Sequence, residues 1–171
     1  VFNALINDPR LIEAAKKYGY RIKYVLHPIV SAQVNDFDKN DYVDIIPAVG
    51  DMSYETMFRE SSLMVTDFSG IQFDFAYMRK PLVYLHHKDI PQHYEEGTFF
   101  YDTMAFGEIA HDNDELIDLL CEYMASGCKM KEEYVRRADD FFYYNDHNNC
   151  KRIYDTMIEY QEKKILPYRQ K

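Results

Sequence analysis

Tryptophan is absent, and the three cysteines, Cys121, Cys128 and Cys150, are odd in number and stand in no CxxC or zinc-ligand spacing. A disulfide framework and a structural zinc site are therefore not expected, and the thiols read as free in a reducing compartment. No apolar run approaches the ~20 residues of a membrane-spanning helix. No signal-peptide pattern, internal repeat or low-complexity segment is visible. Positive charge is in deficit: Lys and Arg number 20 against 29 Asp and Glu, a formal net charge of −9. Binding to a nucleic-acid backbone needs clustered Lys and Arg, so no nucleic-acid partner is expected. A single nucleotide needs only a few backbone N–H groups and one or two cations.

What is present suits a folded domain. Apolar residues make up 47% of the 171 positions, an ordinary globular share and enough chain for one substantial core. One domain over residues 1–171 is the expectation, closed by a C-terminal helix within 145–171. The first residue is Val1 rather than Met, and the chain opens close to a helix, which suggests a piece of a longer protein.

Along the chain, Asp8-Pro9 before Leu11, Ile12, Ala14 and Ala15 is a helix start, and Gly19 its stop. Residues 21–26 alternate polar and apolar and end at His27-Pro28, a strand broken by proline. Residues 31–41 read as a polar connector and Tyr42 to Val49 as a second strand. A helix from Asp51 to Ser62 precedes the short apolar strand 63–66. A turn at 67–70, a helix over 71–79, a buried strand over 81–85 and a last strand at 108–110 follow. Helices are expected at 113–124, capped by Asn113 or Asp114, and at 131–143 and 148–164. Strands alternating with helices predict an α/β, Rossmann-like parallel sheet with helices on both faces. Ligands in such sheets sit beyond the carboxyl ends of the strands. That draws attention to His27, the turn 66–70 and residues 86–94.

The turn Thr66-Asp67-Phe68-Ser69-Gly70 joins a strand to a helix. A helix N-terminus exposes unpaired N–H groups with partial positive charge and attracts phosphate. Ser69 would add a hydroxyl, and Gly70 would let a ligand approach the backbone. The alternative is that Ser69 merely caps the helix, helped by Asp67. His27 could stabilise charge on a leaving phosphate, or simply bond to a backbone carbonyl at the strand end. His86, His87 and His93 with Glu95 and Glu96 match no helical metal-binding pattern, so no metal is assigned.

Residues 63–85, LMVTDFSGIQFDFAYMRKPLVYL, resemble the hallmark of the CDP-glycerol glycerophosphotransferases. That pattern is an apolar strand, Ser/Thr-Asp-aromatic-Ser-Ser, a spacer, Phe-Asp-aromatic-Ala, then Lys-Pro and another apolar strand. His27-Pro28 is similar to the family's His-Pro, and residues 93–101 to its Tyr-rich loop. Residues 146–153 are similar to its Asp-x-x-x-Ser/Cys-x-Arg stretch.

The resemblance implies the C-terminal, donor-holding domain of a two-domain GT-B transferase, with the N-terminal domain and most of the acceptor site outside this chain. It implies CDP-glycerol or a related CDP-alditol as partner and no cofactor. It also implies a polymer acceptor met through the other domain, in a cytoplasmic protein peripheral to the membrane. Thr66, Asp67, Ser69, Gly70, Asp74 and Arg152 would bind substrate, with His27 catalytic. Gly70 departs from the pattern, which has a second Ser there. A GT-B sugar transferase and a non-catalytic binding domain remain the alternatives.

Overall fold

The computed structural model describes residues 1–47, 53–91, 97 and 99–163. Val49, Asp51, His93, Tyr94, Glu95, Glu96 and Lys164 lie outside the described residues. The chain divides into two compact units, Val1–Ala138 and Asp139–Lys171.

Among the described residues, the first unit carries five strands: β1 (Ile22–Leu26), β2 (Val43–Pro47), β3 (Met64–Thr66), β4 (Leu82–Leu85) and β5 (Gly107–Ala110). Its helices are α1 (Phe2–Ile6), α2 (Pro9–Tyr18), α3 (Tyr54–Glu60), α4 (Ile71–Tyr77), α5 (Tyr101–Met104), α6 (Asn113–Ala125) and the start of α7 (Glu132–Phe141). The second unit holds the end of α7 and α8 (Asn149–Glu162).

Among the described residues, all the strand pairs are parallel, as the alternation of strands and helices predicts. They form two ladders, β1-β2 and β3-β4-β5. Central β4 is buried along its whole length, which explains its unbroken apolar sequence. Its side chains alternate between two helical layers. Val83 and Leu85 join Leu11, Ala14 and Ala15 of α2 and Leu116, Ile117 and Leu120 of α6 in one cluster. Tyr84 instead bonds to Gln72 of α4.

Local signals explain most boundaries. Asp8 accepts the Arg10 N–H at 2.8 Å, and Gly19 ends α2 at φ 77. The connector after β1 is more regular than composition suggests, because Pro28 opens a 3-10 helix, Pro28–Asp36. The cap of α6 is Asp112, not Asn113 or Asp114. Asp112 has extended backbone and accepts the Glu115 N–H at 2.9 Å, while Glu115 accepts the His111 N–H at 2.8 Å. Asn113 is already helical, and its amide side chain donates to the Val1 carbonyl.

Two close fits position the central ladder. Gly107 lies opposite Leu82, and a Cβ there would fall 1.7 Å from the Leu82 carbonyl oxygen. Lys80 reaches back to the end of α3, donating to the carbonyls of Phe58, Arg59 and Ser61 at 2.7, 2.8 and 2.7 Å. The Lys of the Lys-Pro pair therefore supplies the C-terminal cap of a neighbouring helix, using carbonyls that helix cannot satisfy itself.

Candidate functional site

β3 ends at Thr66, whose side chain is buried, and the chain turns through Asp67, Phe68, Ser69 and Gly70 into α4. Phe68 points inward, while Gly70 is exposed and Ser69 half-exposed. Two three-residue bonds shape the helix start: Gln72 N–H to the Ser69 carbonyl at 3.3 Å, and Phe73 N–H to the Gly70 carbonyl at 3.2 Å. Among the described residues, the N–H groups of Ser69, Gly70 and Ile71 donate to no protein acceptor.

Ser69 does not cap α4. The cap position is Gly70, in helical conformation and without a side-chain cap bond, and the Ser69 hydroxyl is unbonded among the described residues. The turn thus offers three successive amides and one hydroxyl at the carboxyl end of a parallel strand. Gly70 has ordinary helical dihedrals, and an added Cβ would meet nothing within 4 Å. A serine there would fit, so the departure from the family's serine pair is not forced by the fold.

Asp74 stands exposed in the first turn of α4. Behind it, Gln72 is buried and held by the Tyr84 hydroxyl at 2.6 Å, and the same hydroxyl accepts the Phe106 N–H at 3.3 Å. Sequence reasoning missed Gln72 and Tyr84. The available signal was a Gln inside an otherwise apolar helix face, opposite a Tyr in a buried strand.

His27 follows β1 and is exposed. Its Nδ1 accepts the Ile29 N–H at 3.3 Å, and its carbonyl receives Val30 N–H at 2.9 Å and the Ser31 hydroxyl at 3.3 Å. With Nδ1 an acceptor, the neutral ring carries its proton on Nε2, the nitrogen available to a ligand. Among the described residues, the ring does not form the bond to a backbone carbonyl weighed from sequence. Each of His27 and Ser69 follows a strand end, though β1 and β3 belong to different ladders.

Arg152 belongs to the second unit, where it pairs with Asp146, donates to Asn149 Oδ1 at 2.9 Å and lies 3.6 Å over the Tyr144 ring. The Asp and Arg of the late stretch are thus an ion pair across the start of α8. The Arg152 guanidinium holds the Asp146 carboxyl well below the usual carboxylate range. No grouping of three or more His, Cys, Asp or Glu suited to a metal occurs among the described residues.

The family described as CDP-Glycerol:Poly(glycerophosphate) glycerophosphotransferase matches residues 1–159. The chain is 40% identical over 164 residues to the "Minor teichoic acid biosynthesis protein GgaB" of Bacillus subtilis (strain 168). That alignment covers 96% of the chain and 18% of GgaB, so the chain spans about a fifth of its relative's length. No solved structure matches it significantly. The chain belongs to the CDP-glycerol:poly(glycerophosphate) glycerophosphotransferase family.

Proposed function

We propose that this chain is the donor-binding domain of a transferase that passes glycerol phosphate from CDP-glycerol to a teichoic-acid-type polymer. The observation carrying this reading is the set of unpaired amides at Ser69, Gly70 and Ile71, in a chain whose family is named for that donor. They would take the pyrophosphate oxygens, with the Ser69 hydroxyl as a further donor. α4 is only seven residues long, so its dipole adds modestly and the directed N–H groups matter more.

In the reaction, a polymer-end hydroxyl attacks the β-phosphate of CDP-glycerol. The bond from that phosphorus to the bridging oxygen breaks, and CMP leaves. Positioning and charge stabilisation supply most of the catalysis in such transfers. His27 would donate from Nε2 to phosphate oxygen as charge develops. Thr66 and Asp67 would shape the turn, Asp74 would support the loop or bound donor, and Arg152 would bind substrate if released from Asp146. The acceptor would be held by an N-terminal domain of a two-domain GT-B protein. That protein would be cytoplasmic and peripheral to the membrane. Among the described residues, no helix is long and apolar enough to cross a membrane.

Calorimetry with CDP-glycerol, UDP-sugars and CMP tests this reading. CDP-glycerol should bind more tightly than any UDP-sugar; preference for a UDP-sugar would point to a sugar transferase. The chain alone should release no CMP from CDP-glycerol and acceptor above the blank, since the cleft needs both domains. Turnover by the chain alone would refute that requirement.

A further inference from the structure

His86 follows β4 and extends its ladder, donating its N–H to the Ala110 carbonyl at 2.8 Å. Its ring lies flat on Phe68, 4.2 Å between centroids and 15° between planes. The Tyr101 ring of α5 meets it edge-to-face at 4.5 Å, and Tyr84 lies 5.9 Å away. Its Nε2 is buried with no hydrogen-bond partner among the described residues. Phe68 is the middle residue of the turn that presents Ser69 and Gly70, and it is 7% exposed. That turn therefore rests on an imidazole packed among aromatic rings.

Such a platform exists in one charge state. An uncharged ring stacks on Phe68 at little cost, whereas an imidazolium would bring a charged N–H at Nε2 into a space without an acceptor. Burial accordingly holds the ring's pKa below the ordinary imidazole value, and His111 beyond β5 pushes the same way. Asp67, in the turn itself, pulls in the opposite direction. Among the described residues, Tyr84 and Tyr101 are the other titratable side chains against the ring.

We propose that His86 is a positioning residue for the donor: its uncharged ring holds Phe68, and through Phe68 the amides of Ser69 and Gly70, in the phosphate-binding arrangement. This deepens the pyrophosphate reading and rests on it. Because the neutral ring is the competent form, binding is complete above about pH 6.5. It is lost as pH falls through the lower folded value. Once below that value, apparent Kd rises about tenfold per pH unit, following the falling competent fraction.

The test is Kd for CDP-glycerol from pH 5 to 8 at fixed ionic strength, for wild type, His86→Phe and His86→Ala, with amide shifts recorded alongside. CDP-glycerol suits this because its phosphates are diesters and do not titrate in the range. His86→Phe keeps the stack and removes the titration, so it should bind like wild type at pH 8 and lose nothing at pH 5 that wild type loses. His86→Ala should bind more weakly throughout. Effects of other titrating groups are common to wild type and His86→Phe and cancel between them. Parallel pH curves for those two proteins, with donor shifts at residues 66–74, would overturn the role of His86 alone. Absence of donor shifts at 66–74 at pH 8 would overturn the pyrophosphate reading and this proposal together. If His86→Ala does not fold, the His86→Phe comparison decides.

Discussion

Tyr84 on β4 donates a 2.6 Å hydrogen bond to Gln72 on α4, tying that helix to the central strand through two buried polar groups. The Tyr84 hydroxyl also accepts the Phe106 N–H, so one oxygen links three segments. Burial pushes the Tyr84 phenol above its ordinary range, which keeps it protonated and donating. Tyr84→Phe should cost about 1–3 kcal/mol, because it leaves the buried Gln72 oxygen without its donor. Adding Gln72→Met should cost less than the two single changes summed. Urea denaturation of the four proteins in a double-mutant cycle measures the coupling, and strict additivity would show that the bond contributes nothing.

Gly107 should tolerate no side chain. A Cβ would overlap the Leu82 carbonyl at the first pair of the β4–β5 ladder, so one backbone would have to move away from the other. Gly107→Ala is expected to destabilise the fold by about 3 kcal/mol, the scale of a strained core position. Thermal unfolding followed by circular dichroism would register this as a clear drop in Tm. An unchanged Tm would mean the strands stand further apart than described.

Lys80 gives a second stability test. Its ammonium serves three carbonyls at the end of α3, and burial lowers its pKa. Lys80→Met keeps the apolar stem and removes all three donors, so a loss of about 1–3 kcal/mol is expected. Faster amide exchange should be confined first to residues 57–61. Uniform loss of protection across the first unit would argue against a local cap.

A pH effect is expected in the second unit. The hydrogen bond from Arg152 lowers the Asp146 pKa, so the folded form binds this proton less readily than the unfolded chain. The stabilisation is therefore present above the ordinary carboxylate range and lost as pH falls through the lower folded value. Protection of the first turn of α8 should fall on acidification in wild type. Asp146→Asn should show the weaker protection at every pH. A mutant that retains the wild-type acid response would remove Asp146 as its source.

Elements whose determinants lie close in sequence were legible. Asp8-Pro9 and Gly19 bound α2, and the apolar runs at 64–66 and 82–85 are parallel strands as expected, though only 82–85 is buried throughout, Val65 of β3 being exposed. Contacts between distant segments were not legible: Lys80 reaching α3, Gly107 under Leu82, and Gln72 meeting Tyr84 depend on how strands and helices stack. The Asp112 cap was missed because adjacent Asn113 and Asp114 are equally good capping residues, and backbone dihedrals decide among them. At the candidate site, the turn was legible as strand, small residues and helix. The partnerless Ser69 hydroxyl and the Phe68–His86 stack were not, since sequence alone favours a serine cap and leaves the histidine's surroundings open.

The most direct test of donor binding at the Ser69–Gly70 turn is an amide chemical-shift titration of the chain with CDP-glycerol. The largest shifts should fall within residues 66–74, with Ser69, Gly70 and Ile71 foremost. Ser69→Ala should bind about 1 kcal/mol more weakly through loss of one hydroxyl contact. Saturable binding that moves amides elsewhere and leaves residues 66–74 unshifted would contradict the assignment.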